Sequence, residues 1–286
     1  MEAPSNSTYV FDSESSIEMA RLINQDRMMT QAMGGSLSGI TDPASLQNIL
    51  DLGCGPGGWV LDVAFACPDA DVEGVDISRL MVDYANARAR TQQLPNASFG
   101  VMNITDPLEF PDAAFDLVNA RFLTVVLKRE VWPLFLGECT RVLRPGGLLR
   151  LTEVVDAGVT SSAAVNQLMA LFTEALWQAG YAFSPDGHSV GMIHMLPSFL
   201  RERGYQQVRL LPHAVEYSAK MEAWTDQFHN IEVGGFQMKP LLVKQGLITS
   251  EAFDQLYPQA LIDMQQDTFR AVQHLTTVLG QKPAAS

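Results

Sequence analysis

Positive charge is scarce in this chain. Lys and Arg number 19 against 32 Asp and Glu, for a formal net charge of −13. No cluster of basic residues stands out, so a phosphate backbone would be repelled and nucleic acid is a poor partner class. Cysteine is scarce as well. Cys54, Cys67 and Cys139 have no metal-ligand spacing, so no metal site is expected; Cys67 and Cys139 read as small buried hydrophobes. No apolar run approaches the ~20 residues that span a bilayer, so no membrane association is expected. The N-terminus lacks a basic stretch followed by an apolar core, so no secretory signal is expected and a reducing cytoplasm is the default. What remains is 286 residues, 47% hydrophobic and 18% charged, enough for one large domain or a core with a cap.

The most informative stretch is Asn48-Ile49-Leu50-Asp51-Leu52-Gly53-Cys54-Gly55-Pro56-Gly57-Gly58. An apolar strand ends near an acid, a glycine turn follows, and Trp59 to Phe65 begins a helix. Strand, glycine turn and helix N-terminus together make a nucleotide-cofactor cradle. The literal Gly53-x-Gly55-x-x-Gly58 matches a dinucleotide fingerprint. A pyrophosphate, however, is repelled by a nearby carboxylate. Asp51 suits a cationic ligand group, or else bonds to loop N–H groups. Val72-Glu73-Gly74-Val75-Asp76 is a second strand ending in an acid, where a carboxylate can accept from both ribose hydroxyls. Asn103, after a third strand, can bond an adenine edge, and Ile104 can pack on the ring. Phe110 to Val118 is a turn running into a fourth strand. Arg141 to Leu149 reads as a helix end, a Pro-Gly-Gly turn and a fifth strand.

On Asp51 to Gly58, Gly74-Val75-Asp76, Phe110-Pro111-Asp112 with Phe115 to Val118, and Leu143-Arg144-Pro145-Gly146-Gly147, the chain resembles the class I S-adenosylmethionine-dependent methyltransferases of the small-molecule branch. One departure is Asn103, where the family usually carries Asp. The resemblance implies an α/β fold, with a Rossmann-like, seven-stranded, mostly parallel sheet, an antiparallel last strand and helical lid and cap insertions. It implies S-adenosylmethionine as cofactor, bound by Tyr9, Arg21, Asp51, Gly53, Gly55, Gly57, Asp76, Ile77, Met81, Asn103, Ile104 and Arg121. Arg21 would pair with the cofactor carboxylate.

The chain divides into an N-terminal helical lid (1–47), the cofactor core (48–155), a helical insertion with the last core helix (156–204), strand six (205–218), a helical cap (219–270) and a final strand (271–281). Glu153, His188, His194 and His229 are the candidate bases for an acceptor that must lose a proton. Met and aromatic residues in the insertions point to an apolar or aromatic small-molecule acceptor, with O-, N- or C-methylation all open. An NAD(P)-dependent oxidoreductase, or a methyltransferase on tRNA or protein, is the competing class. A homodimer stays open.

Overall fold

The computed structural model describes residues 9–156, 158–184 and 189–284. In chain order the elements are α1 (Ser16–Ala32), β1 (Asn48–Leu52), α2 (Gly58–Ala66), β2 (Asp71–Asp76), α3 (Arg79–Thr91), β3 (Ala97–Val101), β4 (Phe115–Arg121), α4 (Trp132–Val142), β5 (Leu143–Val154), β6 (Val159–Thr160), α5 (Ala163–Gln178), α6 (Met192–Glu202), β7 (Gln206–Glu216), α7 (Trp224–Lys244), α8 (Ser250–Met264) and β8 (Ala271–Gln281).

The strands make one sheet in the order β3-β2-β1-β4-β5-β8, with β7 on the far edge of β8. β1 to β5 pair in parallel and β8 runs antiparallel to β5. The expected architecture therefore holds, with eight strands where seven were expected. The extra one is the two-residue β6, which pairs with the start of β8.

Period-2 alternation sorts the central strands into two faces. Leu50, Leu52, Val118, Ala120, Leu149 and Leu151 face one core with Trp132, Phe135 and Leu136 of α4. Ile49 and Leu117 face the other, with Trp59, Val60 and Val63 of α2. Continuing along this second face, the alternation places Asp51, Asn119 and Arg150 on adjacent strands, in register with one another. The inserted helices α5, α7 and α8 have a core of their own, built on Val165, Leu168, Ile231, Leu242, Phe253 and Met264.

Ser15 caps α1 by accepting from Glu18 N. The Arg144-Pro145-Gly146-Gly147 segment is not a turn before a strand. β5 already starts at Leu143, opposite Phe115, and the next pair is Leu148 with Leu117. The segment is a bulge inside the strand. Gly146 sits at φ +81°, and a Cβ on Gly147 would lie 2.9 Å from Arg144 O. Arg144 pins the bulge through Asp116 Oδ1 at 2.9 Å.

Candidate functional site

The carboxyl ends of β1, β2, β4 and β5 open onto a cavity of about 310 Å³, which α1, α5 and α7 enclose from above. Ligands of open α/β sheets bind at this end of the strands. The glycine loop forms one wall. Gly53, Gly55 and Gly57 all have positive φ, at +72°, +52° and +79°. Gly53 N and Cys54 N donate to Val75 O, which ties the loop to β2. A Cβ on Gly55 would point into open space, with only Leu22 Cδ1 nearby at 3.9 Å. A Cβ on Gly57 would strike Ala85 and Phe99 at 2.7 Å. Gly57 therefore serves helix packing as the N-cap of α2 and does not line the cavity, whereas Gly53 and Gly55 do.

Asp76 joins the loop to the next helix. Its Oδ2 accepts from Gly55 N at 2.8 Å and its Oδ1 from Ser78 N at 2.9 Å. Burial raises its pKa, and those two N–H groups oppose the rise. A carboxylate offers about four lone-pair sites, so acceptor capacity remains for a diol. Ile77 and Met81 line the cavity beside it.

Asp51 is 3% exposed and lines the cavity floor. Asn119 Nδ2 donates to its Oδ1 at 2.7 Å. Burial pushes its pKa up to about 6, against the pull of the Arg121 guanidinium. Arg121 in turn pairs with Asp26 of α1 at 2.6 Å and donates to Thr30 Oγ1 at 3.1 Å. Its buried Nε has no hydrogen-bond partner. Asp26 also lies over the loop, where its Oδ2 occupies the space a Cβ on Gly58 would take. Asp51, Arg121 and Asp26 thus bring two acids and a cation to one wall of the cavity.

Three expected contacts line the cavity with their polar atoms committed to protein partners. Arg21 lines the cavity, but Nε and both terminal nitrogens are committed. It donates to Glu18 Oε2 at 2.8 Å and Oε1 at 2.6 Å, to Gln25 Oε1 at 2.5 Å, to Tyr9 Oη at 3.4 Å and to Asn230 Oδ1. All five guanidinium N–H groups are used, so Arg21 ties α1 to α7 instead of presenting a donor to a carboxylate. Tyr9 belongs to the same knot, donating to Glu18 Oε1 at 2.6 Å. Asn103 also lines the cavity, but its carboxamide closes its own turn. Its oxygen accepts from Thr105 N and Oγ1, and its nitrogen donates to Asp106. Ile104 is buried against the same wall.

Of the four candidate bases, Glu153 reaches the cavity. It is 1% exposed and accepts from Leu123 N at 2.6 Å, Thr124 Oγ1 at 2.7 Å and Thr124 N at 3.4 Å. Burial pushes its pKa up to about 7 despite these donors. His194 on α6 and His229 on α7 are exposed side chains outside the cavity; His229 sits instead against Glu232 at 3.1 Å. α7 walls the cavity through Gln227, Asn230 and Ile231 on its other face, and no residue of α6 lines it. His188 lies outside the described residues.

Beyond the loop, the cavity continues between the inserted helices. Met169, Phe172, Leu176, Ile231 and Met238 make an apolar wall, relieved by Thr173, Gln227 and Asn230. Asp26, Asn119 and Asn230 escaped notice in the sequence. Asn119 left a trace: it is a polar residue inside the apolar run Leu117 to Ala120.

Among the described residues, no group of His, Cys, Asp and Glu could hold a metal ion, and no helix is long and apolar enough to cross a membrane. All three cysteines are free and buried.

Comparison with known proteins points the same way. Residues 49–147 match the family described as "Methyltransferase domain". The chain is 29% identical over 206 residues to an aklanonic acid methyltransferase of Streptomyces sp. (strain C5), covering 71% of this chain and 81% of that protein. It is 32% identical over 108 residues to a methyltransferase of Strobilurus tenacellus, where the match covers 38% of this chain and spans only 35% of that relative's length. The fold is similar to that of Haemonchus contortus phosphoethanolamine N-methyltransferase 2 in complex with phosphomonomethylethanolamine and S-adenosylhomocysteine. There the TM-score is 0.60 at 18% identity, over 98% of this chain and 61% of that one.

Proposed function

We propose that this chain, a class I S-adenosylmethionine-dependent methyltransferase, methylates a small apolar or aromatic metabolite by in-line transfer. The observation that carries the reading is the continuity of one cavity, from the glycine loop with its two strand-end acids to an apolar chamber under α5 and α7. When bound, the cofactor supplies an electrophilic methyl group on a sulfonium. The residues present fit it. Gly55 leaves room for a ligand against the backbone, Asp76 keeps acceptor capacity for a ribose, and Asp51, Arg121 and Asp26 match an amino-acid end.

The protein's own contribution is alignment and exclusion of water. Phe172, Ile231 and Met238 hold an apolar acceptor body, while Thr173, Gln227 and Asn230 orient its polar group. Glu153, with a pKa near 7, is the side chain placed to take a proton from an acceptor hydroxyl. A relative named nocamycin O-methyltransferase, 29% identical over 63% of this chain, supports an oxygen as the methylated atom. The buried carboxylate at Asp51 weighs against a pyrophosphate and so against a nicotinamide cofactor.

Methyl transfer from labelled cofactor to a panel of acceptors tests this. Apolar or aromatic hydroxy and carboxylic acids should be methylated, and Phe172→Asp should suppress the transfer while cofactor binding persists. Turnover of polar acceptors alone would refute the apolar chamber. In calorimetry, S-adenosylhomocysteine should bind and NADH should not. Asp76→Ala should weaken S-adenosylhomocysteine binding by about 1–3 kcal/mol, because ribose hydroxyls lose their acceptor. An unchanged affinity would remove Asp76 from that role.

A further inference from the structure

Arg150 lies at the centre of β5 and is 0% exposed. Among the described residues, no carboxylate lies within ion-pair distance of it. Its Nη1 donates to Asn119 Oδ1 at 2.7 Å, its Nε reaches Ser38 O at 3.4 Å, and its Nη2 faces only the sulfur of Met33 at 4.0 Å. A buried cation without a direct counter-charge is costly to fold around. The nearest compensation is one amide away. Asn119 Nδ2 donates to Asp51 Oδ1 at 2.7 Å. The three residues occupy paired positions on β1, β4 and β5, and all of them face the same side of the sheet.

The amide has no freedom in this arrangement. A guanidinium can only donate, so the oxygen of Asn119 faces Arg150 and its NH₂ faces Asp51. One oxygen of Asp51 is thereby held from behind, and the carboxylate is aimed at the cavity.

We propose that Asn119 and Arg150 are positioning residues for Asp51. The buried cation acts through the amide to fix the direction and the charge of the carboxylate that meets the cofactor's ammonium. This rests on the cofactor reading above. Asp51 is also faced by Arg121 on β4, Asp26 on α1 and Cys54 in the glycine loop, and Arg121 is the stronger of the two cationic influences. The contribution of Arg150 is therefore a second, weaker cation, acting in the same sense as Arg121 and shielded from solvent.

Calorimetric titration of S-adenosylhomocysteine between pH 5 and 9 tests this on the full chain. Wild-type affinity should fall as the pH drops through about 6, where Asp51 takes up a proton. In Arg150→Met that midpoint should move up by about one pH unit, with about twofold weaker binding at pH 7 and about tenfold weaker binding at pH 5. Asn119→Asp keeps the size of the side chain and the bond to Arg150, but it sets a second carboxylate against Asp51. Its binding should be weak at pH 7.5, worsen as the pH falls and recover only at higher pH, a midpoint displaced upward from wild type. This near-isosteric variant carries the test if Arg150→Met does not fold. A purely structural role would lower the melting temperature and leave the pH midpoint alone. Folded variants with wild-type affinity and pH profile would overturn the proposal. Wild-type protein that binds no S-adenosylhomocysteine at any pH would overturn the cofactor reading, and the proposal with it.

Discussion

Gly55→Val is expected to abolish S-adenosylhomocysteine binding, a loss of more than about a hundredfold by calorimetry, or about 3 kcal/mol. Two effects combine. Gly55 sits at φ +52°, a conformation that β-branched residues rarely adopt. Its Cβ would also enter the cavity itself, since only Leu22 Cδ1 lies within 4 Å. The two Cγ atoms of valine would then fill the space where a ligand meets the main chain. The neighbouring Gly57→Val should fail differently. Its Cβ would collide with Ala85 and Phe99 at 2.7 Å, so it should lower the melting temperature rather than block a folded site. Retained binding by a folded Gly55→Val protein would mean that the loop is not the cradle.

The second large effect is expected at Glu153. Glu153→Leu should destabilise the fold by about 2–4 kcal/mol in denaturant titration, because Leu123 N, Thr124 N and Thr124 Oγ1 are left without their buried acceptor. Relief of the buried acid's own desolvation keeps the total below a simple sum. Glu153→Gln should be far milder, since an amide oxygen can still accept from Leu123 N. The glutamine variant isolates the pH effect. Burial raises the pKa of Glu153 from 4.5 in an exposed chain to about 7 in the fold. Between those values the folded state holds a proton that the unfolded state has released. Stability is therefore greatest on the acid side of this window and is lost as pH rises through it, by about 3 kcal/mol at most. Asp51 adds to the trend with the same sign, being raised to about 6. Thermal unfolding from pH 4.5 to 8 should show the decline, and Glu153→Gln should flatten it. An equal slope in both proteins would contradict the assignment.

The parts of the site legible in the sequence are those whose meaning is local. The glycine loop, Asp51 and Asp76 each depend on a strand end and the turn after it, and strand alternation placed those ends at one edge of the sheet. What was not legible depends on which face a helix presents and on distant partners. Arg21 looked like an anion ligand because its partner Asn230 lies 209 residues away, although Glu18, three residues before it, was a visible competitor. His229 fell on a helix that walls the cavity but on its exposed face, and His194 fell on α6, none of whose residues line it. The Arg-Pro-Gly-Gly segment reads as a turn from its residue types alone; only pairing with Phe115 shows that the strand has already begun.

The cap's separate core has a consequence for how the protein comes apart. The helices that wall the acceptor chamber are held together by their own buried residues, apart from the packing beneath the glycine loop. The stretch that matches the methyltransferase-domain family ends at residue 147, before those helices begin. Substitutions at Leu242, Phe253 or Met264 should therefore loosen α5, α7 and α8 before they disturb the packing of Ile49, Trp59 and Leu117. The fold thus has two seats of stability, one beneath the glycine loop and one inside the cap.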